Sequence, residues 1–263
     1  MTAYTLITGA SSGIGLALAA AFAARGDALL LVARRGEVLE QIAGRLRACH
    51  KVDVQTRICD LAEAAQLDRL CDDLARGTPE IGTLVNNAGF ATSGAFVDNA
   101  WHEERELIEV NVTALARLCH VVGRRMAAAG RGQILNVSSI SGMMPGPWMA
   151  NYAAAKAYVL SLSEGLREEL APRGVKVSVL CPGTTRSPFF ARAGIDLDKL
   201  EKEALVMTPQ DVARITVAAL ERDTAIIVPR WYNKILAITP RLGPRWLLRR
   251  VVGALYKGVA RTA

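Results

Sequence analysis

Cysteine and histidine are scarce in this 263-residue chain, and neither is spaced for chemistry. The five cysteines, Cys49, Cys59, Cys71, Cys119 and Cys181, are odd in number and include no C-x-x-C pair. That argues against a disulfide framework and suits a reducing compartment. His50, His102 and His120 have no metal-ligand spacing, so no metal is expected. No apolar run is long enough to span a bilayer. The first strand-like run begins at residue 3 and leaves no room for a signal peptide, so a cytoplasmic location is expected. Acidic residues are absent from 229–263, which holds eight of the 32 Lys and Arg. The body without that tail has 24 basic against 25 acidic groups and is near neutral. Such a body does not resemble a nucleic-acid footprint, and no nucleic-acid partner is expected. Repeats, low-complexity tracts and a convincing domain boundary are also missing.

What is present is alternation. Apolar runs at 3–8, 28–33, 52–58, 83–86, 133–137, 175–180 and 225–228 are separated by helical stretches. The helices expected include 14–24, 37–48, 101–129 and 209–221, the last capped by Thr208-Pro209. This pattern predicts an α/β fold with a parallel sheet and right-handed crossovers. The length fits one such unit.

Several strand ends carry residues that chemistry could use. The first strand runs into TGASSGIG (Thr8–Gly15) and then a helix. Gly9 permits a tight turn, Gly13 a close backbone approach and Gly15 close helix–strand packing. A strand–glycine turn–helix unit offers N–H groups and a positive helix end to a phosphate, although a plain β–α turn would read the same. The second strand ends at Arg34-Arg35, 19 residues or more past Gly15, where NAD-binding domains carry an acidic residue. Two guanidiniums suit a 2′-phosphate instead, which favours NADP(H) over NAD. Asp60 follows the third strand and reads equally as a helix cap. The fourth strand ends in NNAG (Asn86–Gly89), which reads as ligand-facing amides or as a simple turn. Asn111 sits inside the 101–129 helix between two valines, a position that invites a local bend or a held water.

The fifth strand delivers Ser138 and Ser139, and the next helix carries Tyr152 and Lys156. A spacing of four puts the phenol and the ammonium on one helix face. A nearby cation lowers a phenol pKa and would make a general acid/base. The chain's five Tyr and seven Lys would give such a pair by chance in about one sequence in eight, so the pair needs its context.

With that context the chain resembles a classical short-chain dehydrogenase/reductase of the NADP-preferring type. The motifs are TGxxxGIG at Thr8–Gly15, Asp60, NNAG, Asn111, Ser139 placed 13 residues before Tyr152, Lys156 and Pro182-Gly183. The resemblance covers roughly 3–228. It implies a single Rossmann-type, doubly wound domain with seven parallel strands over 1–228; the residues themselves mark 229–263 as a basic amphipathic extension. It implies a catalytic set of Asn111, Ser139, Tyr152 and Lys156. Tyr152 would exchange the proton, Lys156 would lower its pKa and hold the nicotinamide ribose, Ser139 would bond the substrate oxygen, and Asn111 would hold a water. Gly9, Ser11, Ser12, Gly13, Ile14 and Gly15 would meet the phosphates, and Arg34 and Arg35 the 2′-phosphate. Asp60 and Leu61 would contact adenine, and Asn87, Ala88 and Gly89 would lie along the adenosine. Pro182, Gly183, Thr185 and Ser187 would flank the nicotinamide. A homodimer or homotetramer is the default assembly. Two departures stand out: Gly82-Thr83 replaces an acidic residue, and Ser187-Pro188 stands where a Thr is usual.

The substrate side reads as apolar. Met143, Met144, Pro145, Pro147, Trp148 and Met149 lie between the Ser and the Tyr, and Phe189 and Phe190 open a mobile excursion over 186–207. If they face the cofactor, the substrate is a hydrophobic ketone, aldehyde or secondary alcohol; otherwise they are core or oligomer contacts. On a wheel, Leu247, Leu248, Val251, Val252, Leu255 and Val259 share an arc opposite Arg249, Arg250, Lys257 and Arg261. That helix suits an anionic membrane surface, the protein's own body or a subunit partner. The competing functions are a catalytically silent NADP(H)-sensing protein on the same fold and a membrane-peripheral reductase of lipid-type ketones anchored by the tail.

Overall fold

The computed structural model describes residues 3–77, 79–195 and 205–257, with side chains except at 241, 242 and 255. Seven strands make one parallel sheet: β1 (Tyr4–Thr8), β2 (Ala28–Ala33), β3 (Val54–Ile58), β4 (Ile81–Asn86), β5 (Gly132–Val137), β6 (Val175–Leu180) and β7 (Ile226–Ile227). Their order is β3-β2-β1-β4-β5-β6-β7. The order reverses between β1 and β4, and ligands of such sheets bind in the crevice outside that switch point.

The strands are apolar because both faces are covered. In β2, Ala28, Leu30 and Val32 enter one core, and Leu29, Leu31 and Ala33 enter the other. All six are buried, and each leucine contributes about 1.5–3 kcal/mol by leaving water. Helices α1 (Gly13–Ala24) and α2 (Gly36–His50) cover one face; α3 (Ala64–Arg76) covers the other. Helix α4 (Trp101–Ile108) passes through a π-turn at Glu109–Ala114 into α5 (Leu115–Ala129). The helix expected over 101–129 is therefore continuous but widened at Asn111, as a poor interior helix residue permits. Then follow α6 (Ala150–Leu170), the short α7 (Phe189–Arg192), α8 (Pro209–Glu221), α9 (Trp231–Leu242) and α10 (Arg245–Lys257). Thr208 caps α8 by accepting from the Asp211 N–H at 3.1 Å.

Asp60 caps no helix. Its carboxylate accepts the Ala62 N–H at 3.0 Å in a local turn, and α3 begins four residues later. Below the site a buried polar ladder joins three elements. Asn86 Nδ2 donates to Asn136 Oδ1 at 2.9 Å across β4 and β5, and Asn136 Nδ2 donates to Ser163 of α6 at 3.0 Å. Side chains that must be satisfied in a low dielectric fix the offset of these elements more firmly than apolar packing does.

The tail lies against the body. Asn233, Ala237 and Val252 are buried, and the Trp148 indole donates to the Gly253 carbonyl at 3.1 Å. The wheel's single apolar arc divides: Val252 faces in, while Leu247 and Val251 are exposed. Residues 196–204 of the excursion, the Leu255 side chain, Val259 and Arg261 lie outside the described residues.

Candidate functional site

The crevice above β1 and β4 is built by hydrogen bonds between two strand ends. Thr8 Oγ1 accepts from the Asn87 and Ala88 N–H groups, each at 3.0 Å. Asn87 Nδ2 donates to the carbonyls of Thr8 and Gly9 at 2.9 and 3.3 Å. The Asn87 amide therefore holds the glycine turn rather than reaching outward. Gly9 has φ 66°, which a side chain would strain, and a Cβ on Gly15 would overlap the Asn87 amide and the Gly9 carbonyl. Ser12 starts α1 without a side-chain cap, so the first N–H groups of that 12-residue helix are left for a ligand.

Charge gathers at the far end of this crevice. Arg35 Nη2 donates to Ser11 Oγ at 3.1 Å and to the Ser11 carbonyl at 3.3 Å. Arg34 Nη1 lies 3.3 Å from Glu106 and 3.5 Å from Asp60. The guanidinium expected to be free for a phosphate is thus held by two carboxylates, one of them brought from α4. Both arginines still line the cavity beside Ser11. The uncapped helix end, the serines and the two guanidiniums fit a dinucleotide carrying a 2′-phosphate.

The chemistry end lies past β5. Ser139 Oγ accepts the Ser141 N–H at 3.1 Å and caps the turn Ile140–Met143. The hydroxyl's own proton is therefore available, and it lies on the Tyr152 side of the cavity wall. Burial raises the Tyr152 pKa above that of a free phenol, and the neighbouring Ser139 hydroxyl offsets this only in part. Lys156 is also buried, and desolvation pulls it from near 10.5 to about 8. Its ammonium donates to the Val137 carbonyl at 2.9 Å and lies 5.7 Å from the Tyr152 ring centroid. The lysine is near the ring, yet the phenol pKa is raised, and burial is the main cause.

Asn111 is buried in the π-turn, where its side chain pairs with the Phe90 main chain. Its Nδ2 donates to the Phe90 carbonyl at 2.8 Å, and its Oδ1 accepts the Phe90 N–H at 3.2 Å. It stands behind Gly89, where a Cβ would overlap the Asn111 oxygen and lie 3.3 Å from Lys156 Nζ.

One cavity of about 1030 Å³ joins the two ends. Ser11, Ser12, Gly13, Ile14, Leu61, Ala88, Gly89, Pro182, Gly183, Thr185 and Ser187 line it with the arginines, Ser139, Tyr152 and Lys156. Gly15 and Asn111 stand behind the lining. Of the loop before Tyr152, Met144 and Met149 line the cavity. Met143 packs on the main core and Trp148 turns to α10, so the pocket expected from that loop is only partly real. The Phe189 ring lies tilted against Tyr152 at 5.5 Å between centroids, and Phe190 meets Phe189 edge-on at 5.3 Å. Among the described residues, no three His, Cys, Asp or Glu come together as a metal site.

Four contributors went unread in the sequence. Glu106 and Arg192 face each other across the mouth at 2.8 Å, and Asn233 and Tyr256 enter the cavity from the tail. The signal for the tail was its position. Trp231-Tyr232-Asn233 follow β7 after three intervening residues, at the carboxyl ends of the strands where ligands of open sheets bind.

Comparisons with known proteins agree with this geometry. Residues 3–197 match the family model described as short chain dehydrogenase. Sulfoacetaldehyde reductase of Chromohalobacter salexigens is 36% identical over 222 residues, covering 81% of this chain and 86% of that protein. The structure of a short-chain dehydrogenase from Sphingobium yanoikuyae in complex with NADPH superposes with a TM-score of 0.84 at 36% identity, covering 99% of this chain and 97% of the other. The bulky-bulky ketone specific alcohol dehydrogenase from Comamonas testosteroni gives a TM-score of 0.78 at 33% identity, covering 91% and 93%.

Proposed function

The chain belongs to the short-chain dehydrogenase family, and from that premise we propose that it is an NADP(H)-dependent oxidoreductase acting on a bulky apolar ketone or aldehyde, or the matching secondary alcohol. The observation that carries this reading is the meeting of Ser139, Tyr152 and Lys156 on one wall of a cavity whose other arm is apolar. NADPH in the Sphingobium relative and the Arg34-Arg35 pair support the cofactor. The apolar arm of Met144, Met149, Phe189 and Phe190, and the ketone named for the Comamonas relative, support the substrate class.

When bound, the nicotinamide supplies or accepts the hydride. The chain's own residues manage one proton and one oxygen. Burial keeps the Tyr152 phenol protonated across neutral pH, so Tyr152 can give its proton to the carbonyl oxygen as negative charge develops there. Ser139, its oxygen occupied by the Ser141 N–H, donates its proton to the same oxygen. Lys156 stands behind Tyr152, stabilises the phenolate left after transfer and offers N–H groups to a ribose hydroxyl. Apolar side chains over Tyr152 exclude other water.

The test is a carbonyl and alcohol panel run with NADPH and with NADH, alongside Tyr152→Phe. Turnover of bulky ketones with NADPH is expected. Loss of the phenol should lower kcat by about 10²–10⁴-fold. Unchanged activity in Tyr152→Phe, or tight NADPH binding without any turnover, overturns the reading.

A further inference from the structure

The mouth of the cavity is apolar and open to the outside. Leu205, Trp231, Ile235 and Leu236 line it and are 64%, 70%, 56% and 48% exposed. The same two tail helices expose Ile238, Trp246, Leu247 and Val251 by 44–54%. On α9, Trp231, Ile235 and Ile238 recur one turn apart on one face, while Asn233 and Ala237 are buried on the other. On α10, Val252 and Tyr256 reach the cavity, leaving Leu247 and Val251 outside as a neighbouring pair. Single exposed apolar side chains are ordinary; a set this size around one opening marks an interaction surface.

The charge on this surface has one sign. Lys234, Arg245, Arg249 and Arg250 are exposed on the same helices, and no acidic residue occurs from 229 to 263. Among the described residues, none of these four pairs with a carboxylate. The Arg250 guanidinium lies 5.7 Å from the Trp246 ring centroid, an apolar ring with a cation at its edge. No helix among the described residues is long and apolar enough to cross a membrane, so contact through this face is peripheral.

We propose that the outer face of α9 and α10 docks on an anionic lipid bilayer, with Trp231 and Trp246 entering the headgroup boundary and the cavity mouth held against the membrane. Basic side chains beside exposed Trp and aliphatic groups are the chemistry that headgroup phosphates and acyl chains bind. Two observations favour a bilayer over a second copy. A two-fold contact lays a surface on itself, so four cations would meet four cations. A protein partner on this face would also close the mouth, whereas a bilayer opens it to lipid-dissolved molecules. Direct delivery of an apolar ketone from the membrane to Tyr152 rests on the oxidoreductase reading; the docking does not.

The test uses the full chain with vesicles of phosphatidylcholine alone and of phosphatidylcholine with phosphatidylglycerol, read by co-sedimentation and by tryptophan fluorescence. Binding to the mixed vesicles, a blue shift and loss of both in high salt are expected. Arg249→Ala with Arg250→Ala should weaken partitioning by about 25-fold, roughly fivefold per cation. Trp246→Ser with Leu247→Ser should weaken it at least as much with all cations in place. Should that second variant unfold, the arginine pair, whose side chains stand in water, carries the test alone. No binding to anionic vesicles at low salt overturns the proposal, as does equal binding to neutral ones. It is overturned too by a lipid-free dimer that these substitutions dissociate, which would assign the face to a second copy.

Discussion

The Glu106 carboxylate accepts a hydrogen bond from the Arg192 guanidinium at 2.8 Å, and so ties α4 to the short helix α7 over Tyr152. The same oxygen lies 3.3 Å from Arg34 at the cofactor end. Arg192 in turn lies 3.6 Å from the Phe90 ring centroid, on the wall of the mouth. Exposed ion pairs of this kind contribute only about 0–1 kcal/mol to stability, so their effect should appear in positioning. Glu106→Gln is expected to raise KM for a bulky ketone several-fold, with kcat and thermal stability nearly unchanged. Steady-state kinetics and a melting curve check this. A fall in kcat at constant KM would instead put Glu106 in the chemistry.

Arg35 is the better-placed of the two arginines for the 2′-phosphate. It already donates to Ser11 in the glycine turn, whereas Arg34 is shared between Asp60 and Glu106. A hydrogen bond to a charged group contributes about 1.5–3 kcal/mol, or roughly 10–100-fold in affinity. Arg35→Ala should therefore raise KM for NADPH by about that factor and leave KM for NADH where it was. Arg34→Ala should cost less, because Arg34 must first leave its carboxylates. Equal losses with both cofactors would show that the arginines do not read the phosphate.

What the sequence made legible follows from locality. Glycine turns, strand ends and the Tyr152–Lys156 spacing are encoded within a few residues, and the sheet follows from alternating apolar runs. The widened turn at Asn111 was half legible: the poor helix former marked the place, but its bonds to Phe90, 21 residues away, carry no local pattern. Asp60 and Arg34 looked independent because their contact crosses from β2 to the end of β3. Trp148 looked like a pocket residue because only the position of α10, over a hundred residues later, turns it away. The direction of the Tyr152 shift was misread for a similar reason. Spacing shows the cation beside it but not the burial that raises the phenol.

Lys156 links the site to stability through its charge. Its pKa in the fold is about 8 against about 10.5 when exposed, so the folded chain sheds a proton that the unfolded chain keeps between those values. Lys156 thus costs stability below pH 8, by ~3 kcal/mol, and the cost fades as pH rises toward 10.5. Lys156→Met removes that cost but strands the Val137 carbonyl, which returns about 1–3 kcal/mol. The variant should lose activity yet be about as stable as the parent at pH 7, and less stable than it near pH 10. In the parent, kcat/KM for ketone reduction should fall above pH 8 as the cation behind Tyr152 is lost. Melting curves and pH–rate profiles read the two effects separately. A Lys156→Met protein far less stable at pH 7 would mean that the lysine is held for the fold.

Asn233 and Gly183 join the tail to the wall of the cavity. A Cβ on Gly183 would overlap the buried Asn233 amide, so the absence of a side chain is what lets α9 come this close. Asn233 cannot simply turn aside, because its Nδ2 donates to the Pro229 carbonyl at 2.8 Å at the start of its own helix. Gly183→Ala should therefore push α9 outward at a cost of about 1–3 kcal/mol, the usual range for overpacking. Because Asn233, Trp231 and Leu236 all line the cavity, KM for the ketone should rise with the loss of stability. Asn233→Ala alone frees the Pro229 carbonyl and opens a small void, and should also destabilise. The double variant has room for the new methyl group, so the two losses should add to less than their sum, with a coupling on the order of 1 kcal/mol. Thermal unfolding of the four proteins in this cycle decides the matter. Strict additivity would mean that the two residues do not meet and that the tail reaches the cavity by some other contact.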